Sequence, residues 1–255
     1  MRAISETAPR LASRSGEGWS FGRYLGAVEE PDLGEGWSRF RLKEWHYTAI
    51  SSPRWFLAIG LVQLGYVAEA FGYLVDRSTG ASLGEWGERS YGGRALRFAR
   101  GPLNGETCWM RGMSQVRKQA TVGEDGPGWI LCCDIPLAGE RLQGEVHISE
   151  GPGLSLIHPL AKDRPAYTYK ANGLGTRASL KLGDRNLDFT GALSTVDWTR
   201  SRALRHTRWN WASASGHTSA GEVLGINLSA HVYDDAQGGS RENVLRLGDR
   251  LHPVG

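Results

Sequence analysis

Hydrophobic and polar residues alternate with a period of two along most of this chain, a pattern typical of half-buried antiparallel strands. The clearest run is 222–233, where Leu224, Ile226 and Leu228 alternate with small and polar residues. Shorter alternating runs lie at 42–50, 129–135, 144–149, 154–158, 167–170, 177–182 and 205–211. Glycine-rich turn signals at 123–128, 151–153 and 238–239 separate several of them. The pattern predicts an all-β fold of barrel or sandwich type.

One apolar stretch, residues 55–75, has the length that a membrane-spanning helix needs. It carries Gln63 and Glu69, and an acidic residue inside a bilayer is costly. Part of it, 57–71, also has the spacing of an amphipathic helix. Tyr66 followed by small residues favours paired strands instead. We therefore expect strands here rather than a membrane span.

Composition narrows the class of protein further. A chain of 255 residues buries a core without help from disulfides or metals. Its 35 glycines and 10 tryptophans fit short strands joined by turns. Thirty basic and 27 acidic side chains leave a formal net charge of +3, which is too small for a protein whose main partner is nucleic acid.

The cysteines and the first residues indicate a compartment. Cys108, Cys132 and Cys133 lack the spacing of metal ligands, and two adjacent cysteines make a strained disulfide. We infer a reducing compartment, by default the cytoplasm. Residues 1–18 lack the apolar core of a secretory signal, and they are predicted to form a disordered tail.

The sequence gives no support for the common cofactor-binding and catalytic motifs. The string from Gly173 to Ala178 matches a dinucleotide-binding fingerprint, but a strand-like run follows it where that motif needs a helix. The sequence has no phosphate-binding loop, no His-Glu-x-x-His and no nucleophile elbow. No cofactor and no metal are therefore expected.

The densest group of chemically useful residues lies at 197–216. Trp209 and Trp211 share one face of a strand-like run, and Asn210 lies on the other. The two rings either cover the core or form an aromatic wall of an apolar pocket, where a ring, an alkene or a cation can stack.

Four strings extend this group across the chain: KEWHYTAISSPRWFLAIGLVQLGYVAEAFGYLVDRSTG (43–80), LSLIHPLAKDRPAYTYKANGL (154–174), VDWTR…TRWNWASASG (196–216) and SRENVLRLGDRLH (240–252). With them the chain resembles the bacterial domain-of-unknown-function family 2804. That family is similar in fold to the calycins, in particular to tandem lipocalin-like proteins such as hydroxyneurosporene synthase-type hydratases and cofactor-free pericyclases. The resemblance implies antiparallel lipocalin-like barrels in tandem. The Pro-rich stretch 151–165 is the candidate seam between two halves, so we expect an N-terminal lipocalin-like domain at 19–160 and a C-terminal one at 161–255. The family normally continues past residue 255, so this chain is expected to be either a short variant or truncated, with an incomplete second barrel. An unclosed sheet has an open edge, through which we expect self-association.

The resemblance also carries functional residues over to this chain. The Trp-Asn-Trp element falls on 209–211, the Asp-x-x-Arg element on Asp197 and Arg200, the Glu-Asn element on 242–243 and the Tyr-x-x-Lys-like end on 167–170. Two departures concern Arg200. This chain has Ser201 where the family usually has glycine. The family also has a proline soon after this position, whereas this chain has none between Ser201 and Trp209.

Two functions fit these residues. The first is cofactor-free acid catalysis on an apolar unsaturated compound, by hydration, dehydration, isomerisation or cyclisation, with a buried carboxyl as the proton donor. The second is the carriage of a lipid-like ligand without chemistry, and in both functions the ligand lies in a β-barrel pocket. A third and weaker alternative rests on another segment: a peripheral membrane protein that uses residues 55–75. Asp197 and Arg200 also fit an ordinary salt bridge in a turn, and Glu242 fits a solvated loop. We predict catalytic roles for Asp197 and Glu242, and ligand contacts from Trp45, Tyr47, Tyr66, Tyr169, Lys170, Arg200, Trp209, Asn210, Trp211 and Asn243.

Overall fold

The computed structural model describes residues 4, 8–10, 12–14, 18–33, 41–123, 126–162 and 164–254. Within these ranges the chain forms twenty β-strands and no α-helix, which confirms the all-β prediction. The strands are β1 (Ser13–Arg14), β2 (Gly18–Trp19), β3 (Gly22–Leu25), β4 (Lys43–Ser51), β5 (Trp55–Gln63), β6 (Val67–Asp76), β7 (Ala81–Tyr91), β8 (Leu96–Arg97), β9 (Glu106–Arg111), β10 (Ser114–Gly123), β11 (Gly126–Leu137), β12 (Glu140–Ser149), β13 (Gly153–Ala161), β14 (Arg164–Leu182), β15 (Arg185–Leu187), β16 (Leu193–Ser201), β17 (Asn210–His217), β18 (Val223–Ala230), β19 (Val244–Leu247) and β20 (Arg250–Pro253).

The apolar stretch 55–75 forms the β5–β6 hairpin. Its turn needs Gly65, whose φ of 88° lies in the left-handed region that favours glycine. On β6 the small residues Ala68 and Ala70 are fully buried, while Glu69 and Phe71 face the other way and are half-buried. No helix in the described ranges is long and apolar enough to cross a membrane.

Fourteen strands, β3 to β16, form one antiparallel sheet, called the main sheet below. Its path runs β7-β6-β5-β4-β16-β14-β12-β11-β10-β9-β8, with β13 and β15 paired to β14 and β3 paired to β13. The long strand β14 joins the two halves of the sheet, because its first part pairs with β13 and β16 and its last part with β12. The pairing with β16 shifts register between Ala171 and Leu174, where Gly173 has a φ of 69°.

The main sheet curls into a nearly closed barrel. Glu88 on β7 links back to the far half of the sheet, since it accepts hydrogen bonds from Trp109 Nε1 (3.0 Å) and Ser114 Oγ (2.5 Å). Large side chains fill the interior. The largest of them, all with under 2% of their surface exposed, include Trp109, Trp198, Tyr167, Tyr169, Lys118, Ile50, Leu57 and Ile59. The barrel interior is therefore a packed core.

Four strands form a second antiparallel sheet in the order β17-β18-β19-β20, called the C-terminal sheet below. It lies against the outer face of the main sheet: the Trp211 ring meets the Tyr47 ring edge-on with centroids 5.2 Å apart. On β18 the polar residues Asn227 and Ser229 are buried toward the main sheet, whereas Leu228 is exposed. The predicted domain boundary at 160/161 lies inside the β13–β14 hairpin of the main sheet, and the chain leaves the main sheet after β16.

Part of the segment 1–18, which is predicted to form a disordered tail, lies among the described residues. Residues 1–3, 5–7, 11 and 15–17 lie outside the described residues. Of the others, Ala12 is fully buried, and its amide donates to the Glu30 carbonyl (3.3 Å). The short strands β1 and β2 pair with each other. Backbone hydrogen bonds and one buried alanine hold this segment to the rest of the fold.

Candidate functional site

A pocket of about 420 Å³ lies between the outer face of the main sheet and the C-terminal sheet. Its lining residues are Lys43, Glu44, Trp45, Val62, Leu64, Tyr66, Glu69, Phe71, Leu160, Lys170, Asp197, Thr199, Ser201, Ala203, Arg205, Thr207, Trp209, Trp211, Ser229, Val232, Tyr233 and Glu242. The lipocalin-type expectation put the pocket inside the barrel. The barrel interior is filled by side chains, so this pocket lies outside it.

Three ionisable side chains meet in this pocket. Lys170 Nζ lies 2.6 Å from Asp197 Oδ2 and 3.2 Å from Glu242 Oε1, and all three side chains are at most 6% exposed. Lys170 and Asp197 face each other directly across the β14–β16 pairing. Glu242 reaches the same point from the loop before β19. We call these three residues the ion cluster.

Burial sets the protonation of the ion cluster. It raises the pKa of Glu242 above the usual carboxyl range, and Asp197 adds to the effect while Lys170 opposes it. For Lys170, burial alone lowers the pKa, but Asp197 and Glu242 outweigh it and raise the pKa above its ordinary value. Lys170 thus stays charged, and Glu242 is the member whose neutral form burial favours.

Glu242 is held less tightly than Asp197. Its buried Oε1 lies 3.2 Å from Lys170 Nζ, in an ion pair that falls outside hydrogen-bond geometry. Asp197 lies closer to Lys170, at 2.6 Å, and Thr199 Oγ1 also donates to its Oδ1 (3.2 Å). A buried carboxyl with a raised pKa in a pocket can protonate a ligand.

Aromatic rings form the walls above the ion cluster. Lys170 Nζ lies 5.6 Å from the centre of the Trp211 ring, within cation–π range. The Trp45 and Phe71 rings are 5.7 Å apart on the main-sheet side. Tyr233 adds a buried ring next to Glu242, and its pKa is well above the ordinary value because of burial and the two nearby carboxyls. The walls are therefore apolar and rich in π surface.

Asn227 holds two site residues in position. Trp211 Nε1 donates to Asn227 Oδ1 (2.8 Å), and Asn227 Nδ2 donates to the backbone carbonyl of Glu242 (2.9 Å). Asn243 fixes the same loop, because its Oδ1 accepts a hydrogen bond from the Ser229 amide (2.6 Å). These bonds explain why the polar face of β18 points inward.

The structure brings seven of the twelve predicted site residues together at the pocket: Trp45, Tyr66, Lys170, Asp197, Trp209, Trp211 and Glu242. The other five lie elsewhere. Tyr47 packs behind Trp211, and Asn243 braces the backbone. Asn210 is exposed at the start of β17. Tyr169 points into the barrel core, because it alternates with Lys170 along β14. Arg200 does not line the pocket: it pairs with the lining residue Glu44 (2.7 Å) and donates to the Ala99 carbonyl (3.0 Å).

Sequence reasoning missed several lining residues. Phe71 lies on the same face of β6 as Glu69, and Thr199 lies two residues from Asp197 on β16, so strand alternation was the signal for both. Tyr233 follows β18 in a loop, where alternation gives no guidance. In the described part of the chain, no group of three or more histidine, cysteine, aspartate or glutamate residues is placed to hold a metal ion.

Comparisons with known proteins identify the family. No curated protein matches the chain. Among solved structures, a crystal structure from Nitrosomonas europaea described as "a putative AttH" matches with 13% sequence identity and a TM-score of 0.44, over 86% of this chain and 70% of that one. The sequence model of the family described as "Domain of unknown function (DUF2804)" matches residues 7–255, so the chain belongs to that family, as the resemblance predicted.

Proposed function

We propose that this protein binds an apolar, unsaturated small molecule in the pocket between its two sheets, and that Glu242 protonates it without a cofactor. The observation that carries the proposal is a buried carboxyl with a raised pKa in an aromatic pocket, 3.2 Å from the Lys170 ammonium. The pocket volume of about 420 Å³ lies within the usual range for small-molecule sites.

The chemistry begins with the neutral carboxyl of Glu242. Its proton adds to an alkene carbon, which forms a C–H bond and leaves a carbocation on the neighbouring carbon and a carboxylate on Glu242. The faces of Trp45 and Trp211 stabilise the positive charge, and the Asp197 carboxylate adds electrostatic stabilisation. Lys170 stabilises the Glu242 carboxylate as it forms, from 3.2 Å away.

The cation then has two outcomes. In hydration, water adds to the cation and loses a proton to the Glu242 carboxylate, which restores the acid and yields an alcohol. In isomerisation, a neighbouring carbon loses its proton to the same carboxylate, and the double bond has moved. Both routes balance without an oxidant or a metal ion.

Deuterium incorporation tests this proposal. The protein is purified from its natural cells, the bound compounds are extracted, and this extract is incubated with fresh protein in D2O. Proton addition at carbon gives products that are heavier by one deuterium for each event. Glu242→Gln is expected to lower the incorporation rate by about 10²-fold or more, because the general acid is lost. An unchanged rate in this variant contradicts the assignment of Glu242.

A second candidate is a carrier of a lipid-like ligand with no chemistry. The ion cluster favours it, because Lys170 already pairs with both carboxyls. Such a cluster can form the polar end of a binding pocket without taking part in a reaction. A carrier retains an extractable ligand but incorporates no deuterium into it. The same experiment therefore separates the two functions.

We further propose that the C-terminal sheet is the counterpart of a second lipocalin-like barrel, that the protein works in the cytoplasm, and that copies associate through an open sheet edge. Strands β17 and β20 are the end strands of the C-terminal sheet, and unpaired edges of this kind accept further strands. Sedimentation velocity over a range of concentrations tests the association. A single monomer species at every concentration contradicts it.

A further inference from the structure

Residues 202–209 connect β16 to β17 across the mouth of the pocket, and we call them the strap. Ala203, Arg205, Thr207 and Trp209 line the pocket from this segment. The backbone of the strap is fixed at two points. The Arg202 amide donates to the Pro165 carbonyl (3.1 Å), and the Lys43 ammonium donates to the Leu204 carbonyl (2.5 Å). These bonds anchor the start of the strap, and the exposed side chains of Arg205, Arg208 and Trp209 follow between this anchor and β17.

The strap carries an excess of positive charge. Arg205, His206 and Arg208 are exposed, and neither arginine forms an ion pair with any residue that the structure describes. Two acidic residues of the pocket wall are already paired, Glu44 with Arg200 and Glu69 with Arg89. The strap itself therefore carries uncompensated positive charge.

Large apolar side chains are interleaved with these cations. Leu204 is 48% exposed and Trp209 is 53% exposed, both on the strap. Tyr66, in the β5–β6 turn, also lines the pocket and is 62% exposed. Tryptophan, tyrosine and leucine beside arginine form the combination found at membrane–water interfaces.

We propose that the strap and Tyr66 dock this protein on the surface of an anionic lipid bilayer, with the mouth of the apolar pocket facing the membrane. The arginines bind the lipid phosphates, while Leu204 and Trp209 enter the headgroup region. A cytoplasmic leaflet supplies the negative surface that these cations match. The docking does not depend on the proposed acid chemistry.

The arrangement favours a bilayer over an acidic protein or a nucleic acid. A nucleic-acid surface needs many cations, and this protein has a formal net charge of only +3. An acidic protein matches the arginines but gives the exposed Leu204 and Trp209 no apolar environment. A bilayer matches both, and it is also where an apolar ligand is found.

Vesicle co-sedimentation tests the proposal on the full-length protein. The wild type is expected to bind vesicles that contain phosphatidylglycerol, to bind phosphatidylcholine vesicles much more weakly, and to dissociate in high salt. Arg208→Gln is expected to weaken binding to the anionic vesicles about fivefold, the usual contribution of one basic residue near such a surface. Leu204→Ser is expected to weaken it on both kinds of vesicle.

The controls use the same types of substitution on a remote surface. Arg185 on β15 and Met113 in the β9–β10 turn are exposed and do not line the pocket, so Arg185→Gln and Met113→Ser are expected to leave vesicle binding unchanged. Neither Arg208 nor Leu204 lines the pocket, so ligand uptake from solution reports separately on the proposed function.

Three results overturn the docking proposal. These are no binding of the wild type to anionic vesicles, equal binding to both kinds of vesicle, or an equal loss in the strap and control variants. Salt-sensitive binding to polyglutamate without any binding to vesicles points instead to an acidic protein partner. If the protein binds the extracted ligand but does not bind vesicles, the docking proposal is wrong and the proposed function still stands.

Discussion

Lys170 and Asp197 lie opposite each other on neighbouring strands, with Nζ and Oδ2 2.6 Å apart and both side chains at most 6% exposed. Glu242 joins them from a different sheet connection, at 3.2 Å. One buried cation thus balances two buried carboxyls. Breaking such a cluster from one side is costly, because the charges that remain have no partner and no water.

Removal of Lys170 is expected to destabilise the fold strongly. Lys170→Met leaves Asp197 and Glu242 buried without a cation, and the free energy of unfolding is expected to fall by about 3–5 kcal/mol. The triple variant Lys170→Met/Asp197→Asn/Glu242→Gln removes all three charges, and it is expected to recover much of this loss. Urea unfolding measures both values. A loss below about 1 kcal/mol in the single variant contradicts the coupling.

Activity is expected to fall as pH rises. The proton donor is the neutral form of Glu242, whose pKa is raised by burial and by Asp197. The protonated enzyme therefore persists above the ordinary carboxyl range and is lost as pH passes through the raised pKa. The rate of deuterium incorporation across a pH series measures this. A rate that increases over the same interval shows that a carboxylate, not a carboxylic acid, starts the reaction.

Stability is expected to fall in acid because of His158. Burial, together with Arg241, lowers the pKa of His158 to about 4, and its Nδ1 has no hydrogen-bond partner among the described residues. An unfolded histidine titrates near 6.5, so the native state loses stability as pH falls from about 6.5 toward 4, by up to about 3 kcal/mol. His158→Phe keeps a ring against Tyr233, which the histidine contacts edge-on, and it is expected to flatten this dependence. Chemical denaturation at a series of pH values compares the two proteins. Parallel curves for both contradict the assignment.

The wall of the pocket depends on a glycine. A Cβ added to Gly60 on β5 would lie 2.3 Å from the Phe71 ring, which covers the glycine and lines the pocket. Gly60→Ala is expected to displace this ring, to cost about 1–3 kcal/mol of stability, and to weaken binding of the extracted ligand. Gly175→Ala is the matched control, since Gly175 is an exposed strand glycine with no atom within 4 Å of its added Cβ. Equal ligand binding by the two variants contradicts the role of Phe71.

Strand content was predictable because local alternation determines it, and the hairpin at 55–75 follows from the glycine and tyrosine of its turn. The facing of β18 was not predictable in the same way. Its leucines suggest an inward face, but Asn227 and Ser229 face inward. The Asn227 side chain hydrogen-bonds Trp211 and the Glu242 backbone, and the Ser229 hydroxyl hydrogen-bonds Ser240. Those partners are distant in sequence. The alternation pattern within one strand therefore gives no information about these hydrogen-bond partners.

Several residues of the candidate site were predictable from the sequence, but their arrangement was not. Family resemblance pointed to Asp197 and Glu242, and the aromatic run pointed to Trp209 and Trp211. Their meeting point on the outside of the barrel depends on which strands pair, in particular on β16 lying between β4 and β14. Pairing between strands so far apart in sequence leaves no local signal.

An intact native mass spectrum of the protein from its natural cells shows whether a ligand occupies the pocket. The wild type is expected to give a second species, heavier by the mass of one small apolar molecule. Ala203→Trp places a large ring in the pocket and is expected to remove that species without unfolding the protein, because Ala203 is half-buried at the mouth. A wild-type spectrum with only the mass of the polypeptide, or an adduct that persists in Ala203→Trp, contradicts a ligand site between the two sheets.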